Sequence, residues 1–424
     1  MALEGLLWSA RQHEYGPRVY VPPRASGRVR VGAWLIALLL TALLLAIDSA
    51  DRIGQAARAL WDIEASNVGD PLPSVRAATA WLADPHVQFY RNFNAKGSSF
   101  IYPPFAAIVY LPFHGGDDAD LPKSLTWLSR GLWLAATGLA LGLADVRAKR
   151  SALGVMLLAI ALFYPGYRAV ELNQASLIVA VGVGAGMLLA SRSPALAALP
   201  IALAAAFKPQ IALLFVFAYW HCRRFAKIGL ISLALCVVVS ILFAGVSNHI
   251  DYVRIVLPEV STGYAFYPNQ SLGAALLRAS GSDYYAFTLA TPSAAMRALL
   301  LGCSALVIGG TCVALRRAAG GADRLPIALA VGWIALTLAS PVSWEHHYIP
   351  ALFALALLVR HAHELPTVSL ACAALAYPLL ASYLDIPAWH GGWVRIASSS
   401  MVLGLFLLLV AFLRSGLLTP KRPT

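Results

Sequence analysis

Charge is scarce in this chain. Of its 424 residues 12% are charged and 59% hydrophobic, with a mean hydropathy of +0.70. Soluble domains carry roughly 25% charged and about 45–50% apolar residues. No water-soluble core absorbs such an excess of Leu, Ala, Val and Ile, so a soluble globular protein is excluded and lipid must solvate much of the surface. Cysteine is also sparse: Cys222, Cys236, Cys303, Cys312 and Cys372 form no CxxC pair, and a disulfide framework is not expected. No HExxH motif or cysteine set supplies zinc ligands, so neither a metal nor a cofactor is expected. No GxGxxG follows a strand pattern, which leaves no Rossmann-like nucleotide domain. The formal charge of +12 is divided among short clusters between apolar runs, not gathered into a basic patch with interleaved aromatics. That pattern argues against a nucleic-acid partner and suits loops lying on anionic lipid. Internal repeats and low-complexity tracts are missing, which weighs against an inverted-repeat transporter.

What is present is a series of apolar runs. A span needs about 20 apolar residues, and 17 can suffice. Candidates are Val31–Ile47, Leu125–Ala144, Ala152–Tyr167, Ala175–Ala190, Ile228–Val246, Ala294–Leu315, Leu325–Ala339, Tyr348–Val359, Val368–Leu384 and Val394–Leu413. A further stretch, 194–221, is interrupted by Lys208-Pro209. Proline disfavours helix at the residue before it, and lysine is costly in lipid, so two short segments meeting at that dipeptide are expected. The prediction is an all-α polytopic membrane protein of about 10–12 membrane segments in contact with the bilayer. With the N-terminus inside, the basic clusters at 11–30, Arg147–Arg150, Arg223-Arg224, Arg316-Arg317, Arg360 and Arg414–Arg422 all fall on the cytoplasmic side, provided 194–221 turns back. Residues 1–30 then form a cytoplasmic segment, too long and polar before the first apolar run for a cleaved signal. Residues 31–414 form one membrane-embedded domain, with large outer loops 48–120 and 247–293, and 415–424 a cytoplasmic tail.

Several polar groups interrupt the apolar pattern. Asp70 lies in Val68-Gly69-Asp70-Pro71-Leu72-Pro73, ahead of a run of helical apolar spacing, 74–82. A carboxylate fixed there by Gly and Pro can act as general base on a hydroxyl, or can simply end a turn. Tyr102-Pro103-Pro104 marks a helix start. Arg168, Asn173 and Gln174 open a membrane helix and should face a cavity or partners; helix capping with a salt bridge is the plainer alternative. Lys208 is an intramembrane cation whose natural partner is phosphate, unless it snorkels to the interface. Asn269 and Gln270, among the aromatics of 264–272, suit sugar hydroxyls. Trp344, Glu345, His346 and His347 gather between two apolar runs. Adjacent histidines point in different directions on a helix, so a shared metal is not expected; one histidine contacting a phosphate is the sharper reading.

In order and type these pieces resemble glycosyltransferase family 87, membrane α-mannosyltransferases. The resemblance rests on Asp70 ahead of Val75-Arg76-Ala77-Ala78, Phe100-Ile101-Tyr102-Pro103-Pro104, Asn173-Gln174, Lys208-Pro209, Asn269-Gln270-Ser271-Leu272 and Ser340-Pro341-Val342-Ser343-Trp344-Glu345-His346-His347. It implies a GT-C-like helical bundle with its site on the periplasmic or extracellular face of the cell membrane, a polyprenyl-phosphate sugar donor, and a glycolipid or glycan acceptor. Carried over, Asp70 is the catalytic base, with Asp51 as a second position for it, while His346 or His347 contacts the donor phosphate and Lys208 assists. Tyr102, Arg168, Asn173, Gln174, Asn269, Gln270, Trp344 and Glu345 are the further substrate-binding candidates. A transporter or flippase for a lipid-linked or small solute would show paired broken helices related by internal symmetry, and a non-catalytic assembly factor would lack an enclosed pocket in its outer loops.

Overall fold

The computed structural model describes residues 27–48, 54, 57–62, 71–91, 100–115, 120–146, 150–282, 285, 287, 292–318, 324–382 and 398–418. Asp51, Asp70 and most of the two expected cytoplasmic ends lie outside them. Among the described residues there are helices and no strand. The chain is an all-α membrane protein.

Helices that are apolar all round must be buried, and here they form the centre. Every residue from Leu325 to Leu338 in helix Leu325–Ala339 is buried, as is Pro350–Val359 in helix Pro350–Arg360. Leu121–Leu143, Ser176–Ala190, Leu213–Ala218, Thr367–Ala381 and Ser400–Arg414 pack around or beside them. At the periphery run the helix Arg223–Val260, kinked at Gly245, and the helix Ala294–Arg317, the two among the described residues that are long and apolar enough to cross a bilayer alone. Their side chains face outward, with Leu242 81% and Leu306 77% exposed, and lipid is the only solvent that suits them.

The expected spans differ from the structure in three places. Ala152–Tyr167 divides into Arg150–Ala161 and Tyr164–Glu171, bent by 46°, with Pro165 in the first turn of the second helix. Ile228–Val246 continues to Val260, through Gly245 at φ 75°, ψ 161° and a π-helical turn Tyr252–Val256. That backbone region is essentially open to glycine alone. Third, among the described residues the apolar helices Ser176–Ala190, Pro194–Phe207 and Leu325–Ala339 have only 14 or 15 residues. Fifteen residues rise about 22 Å, less than the roughly 30 Å hydrocarbon core. They stop short because polar, irregular segments take over at one end of the bundle, as irregular backbone at membrane depth can only where protein or a cavity covers it.

The break at Lys208 follows the sequence. Helix Pro194–Phe207 ends there, Lys208 is extended at φ −132°, ψ 93°, and a 3-10 turn Pro209–Ala212 follows. The run after Asp70 is the helix Leu72–Ala83, whose Trp81 stacks on Phe243 and donates to its carbonyl at 2.6 Å.

Candidate active site

Six separated stretches of chain enclose a cavity of about 430 Å³, lined from Pro73, from 101–103, from Arg168 to Gln174, from Phe207 to Gln210, from Tyr252 to Phe287 and from Ser340 to His347. Tyr102, Arg168, Gln174, Lys208, Trp344, Glu345, His346 and His347 all line it. Residues up to 274 positions apart in sequence, Pro73 and His347, thus share one pocket.

Lys208 reaches it because Pro209 stops the helix and leaves the lysine extended at the break. Its Nζ lies 3.1 and 3.3 Å from the two ring nitrogens of His347. No ion pair joins Lys208 to a carboxylate among the described residues. His347 Nδ1 accepts from the Trp344 backbone N–H at 3.2 Å, which places its ring proton on Nε2. His346 is 4% exposed, and neither of its ring nitrogens has a hydrogen-bond partner among the described residues. The two imidazoles meet edge to face at 4.7 Å. Burial, then the charge of Lys208, holds both well below the usual histidine range, and Arg168 adds to this at His346. Both are therefore neutral at pH 7, able to donate one hydrogen bond and accept another.

Arg168 is bridged to two carboxylates, Glu171 at 2.8 Å and Glu345 at 3.3 Å. Its helix stops in a left-handed cap. Asn173 sits at φ 50°, its N–H donates to the Val170 carbonyl, and the Gln174 N–H donates to that of Ala169 at 2.8 Å. This is the paired bonding of a Schellman motif. Asn173 is accordingly a helix-stop residue, buried, with Nδ2 on Thr126 Oγ1 at 3.2 Å; it does not line the cavity. Gln174, the next residue, does.

Asn269 and Gln270 also lie behind the wall. Asn269 Nδ2 donates to the carbonyls of Tyr264 and Pro341, and its Oδ1 accepts from the Ser343 N–H at 2.8 Å. Gln270 Nε2 donates to the carbonyls of Tyr267 and Ser398 at 3.0 and 2.9 Å, and Tyr348 Oη donates to the Gln270 carbonyl at 2.5 Å. These carboxamides fasten the 264–271 segment to 340–348; their side chains are engaged with backbone. Arg278, fully buried, completes the fastening by donating to the carbonyls of Ala265 and Asn269 at 3.1 and 2.9 Å and to Ser399 Oγ. Sequence reasoning passed over Arg278, although an arginine inside the apolar helix Leu272–Ala279 was the available signal. It also passed over Gln210 and Phe287, which line the cavity beside Tyr264 and Phe266 of the aromatic 264–272 stretch.

A membrane-embedded helical bundle with a polar, cation-bearing cavity at one end defines a membrane protein built around an internal site. The chain belongs to glycosyltransferase family 87, whose sequence description matches residues 100–341, more than half its length. It is thus a membrane glycosyltransferase, which implies a sugar donor and an acceptor in the membrane. No curated protein and no solved structure matches it. The matched stretch contains Tyr102, Arg168, Gln174 and Lys208; Asp70 and Trp344–His347 lie outside it.

Proposed function

We propose that the enzyme transfers a hexose, with mannose the expected sugar, from a polyprenyl-phosphate donor to a glycolipid or glycan on the non-cytoplasmic face of the cell membrane. The observation that carries this reading is the Lys208 amine, placed on the cavity with no carboxylate partner among the described residues, beside the buried imidazole of His346. A cation in such a setting calls for an anion. A lipid phosphate supplies one and is already delivered to the membrane.

In this reading Lys208 Nζ and the His346 N–H bind the donor phosphate. Asp70 takes the proton of the acceptor hydroxyl, whose oxygen attacks the anomeric carbon. The bond from that carbon to the phosphate oxygen breaks, and the electron pair leaves with the phosphate. Fixed donors at a developing anion are worth far more in a water-excluded site than in solution. His347 holds Lys208, and Arg168 holds Glu345, so that Glu345, Gln174, Tyr102 and Trp344 meet the sugars. The chain that carries Asp70 meets the cavity at Pro73. The non-cytoplasmic side is supported by the arginines: Arg223-Arg224 and Arg360 stand at the helix ends remote from the cavity, as cytoplasmic ends require. Residues 31–414 act as one membrane unit, and the ends 1–30 and 415–424 face the cytoplasm.

Purified protein incubated with polyprenyl-phosphate mannose and mannosylated glycolipids should give a product one hexose heavier by mass spectrometry. Asp70→Asn should lower transfer by about 10³-fold or more, and full transfer by that variant would refute its role as base. Lys208→Met should weaken donor binding at least tenfold, measured by titration. Unaltered donor affinity would sink the phosphate assignment.

A further inference from the structure

We infer that the acceptor presents more than one sugar ring, and that six aromatic side chains form the track on which its glycan lies. The inference rests on the glycosyl-transfer reading above. Trp344, Tyr264, Phe287 and Phe266 line the cavity. Tyr264 and Phe287 are stacked at 5.2 Å and 12°, and Trp344 lies 5.5 Å from Tyr264 and 6.0 Å from Phe287. The series then leaves the cavity, from Phe266 to Tyr267 at 4.8 Å and from Tyr267 to Tyr285 at 5.9 Å. Tyr264 is buried at 6% exposure, whereas Phe287 and Tyr285 stand out at 42% and 56%. A surface of successive plates that begins beside the cationic pocket and ends outside is longer than one pyranose.

The chemistry favours a glycan over an isoprenoid tail. A pyranose offers apolar C–H faces to an aromatic plate and hydroxyl edges to polar groups, and Glu345 and Gln174 line the same cavity as Trp344. A tail gains little by leaving lipid for another apolar surface. The side suited to it is aliphatic: Leu257 and Val260 line the cavity from the end of the lipid-facing helix Arg223–Val260. The plates at the inner end, Trp344, Tyr264 and Phe266, stand on fastened backbone. Trp344 is paired with Asn269 through a backbone bridge, and the Arg278 guanidinium grips the carbonyls of Ala265, Phe266 and Asn269. Rigid plates bind at lower entropic cost than mobile ones.

The test is an acceptor-length series. Octyl mannosides bearing one, two or three mannose residues are supplied to the purified enzyme with polyprenyl-phosphate mannose. For the unaltered enzyme, KM should fall by about tenfold from one sugar to three. In Tyr285→Ala and Phe287→Ala that advantage should shrink about three- to tenfold. Persistence of the full advantage in both variants overturns the track. So does a rise confined to the donor KM, or an advantage fully kept by Tyr285→Leu, either of which assigns the surface to the tail. If no acceptor is mannosylated, the donor or sugar assignment has failed separately. Saturation-transfer NMR with free mannotriose then reads the track alone, and no contact that depends on Tyr285 and Phe287 refutes it.

Discussion

His346 and His347 are neighbours in sequence with different environments. The His347 ring is engaged on Lys208 and on the Trp344 amide, while the His346 ring is buried on the cavity without a hydrogen-bond partner among the described residues. Burial and the adjacent cations lower both. In the unfolded chain each titrates near 6.5, so below about that pH the unfolded state binds more protons and folding stability falls as pH drops. The melting temperature in detergent should therefore decline from pH 7 to pH 5, and His346→Gln should flatten part of that decline; an unchanged slope removes His346 from the account. Asn173 makes a complementary case. Its left-handed backbone tolerates glycine, so Asn173→Gly should be close to neutral for the backbone, whereas Asn173→Ala should cost about 1 kcal/mol more. Comparing the two variants' denaturation midpoints checks it.

At the level of elements, two glycines set how the Lys208 hairpin is packed. Helices Ser176–Ala190 and Pro194–Phe207 lie against one another through Gly182 and Gly186. A Cβ on Gly182 would sit 2.7 Å from the Pro200 carbonyl oxygen, and one on Gly186 2.4 Å from the Ile201 side chain. Backbone cannot step aside as a side chain can. Gly182→Ala should therefore cost about 1–3 kcal/mol and exceed Gly186→Ala, read from thermal melts of the two variants. A small-residue pair four apart is the usual means of close helix approach in a membrane. The same close fit holds the broken helix that carries Lys208. Gly245 sets the kink in the helix Arg223–Val260. His249 bridges the bend, with Nδ1 2.8 Å from the Gly245 carbonyl oxygen and Nε2 3.0 Å from Ser240 Oγ. Gly245→Ala should destabilise by about 1–3 kcal/mol and disturb the cavity wall at Tyr252 and Leu257, seen as a raised donor KM.

For the whole molecule the outstanding property is sidedness. With the five native cysteines replaced by alanine, Tyr285→Cys should react with a membrane-impermeant maleimide in intact cells, and Arg360→Cys only after permeabilisation. The reverse pattern would place the cavity on the cytoplasmic side.

Membrane class and the helical frame were legible in composition, because lipid tolerates only segments whose backbone bonds are satisfied internally. The break at Lys208-Pro209 and the helix after Asp70 were legible too, since proline acts on its immediate neighbours. The bend between Ala161 and Tyr164 and the continuation past Gly245 were not, because a helix can persist or bend according to what packs on it. Tertiary structure alone decided which polar residues face the cavity. Asn173, Asn269 and Gln270 carry the same chemistry as Gln174, yet their amides are taken up by the Thr126 hydroxyl and by the Pro341 and Ser398 carbonyls, brought from 47 to 128 positions away. Whether a polar side chain meets substrate or scaffold depends on distant chain arriving beside it, and no local pattern encodes that arrival.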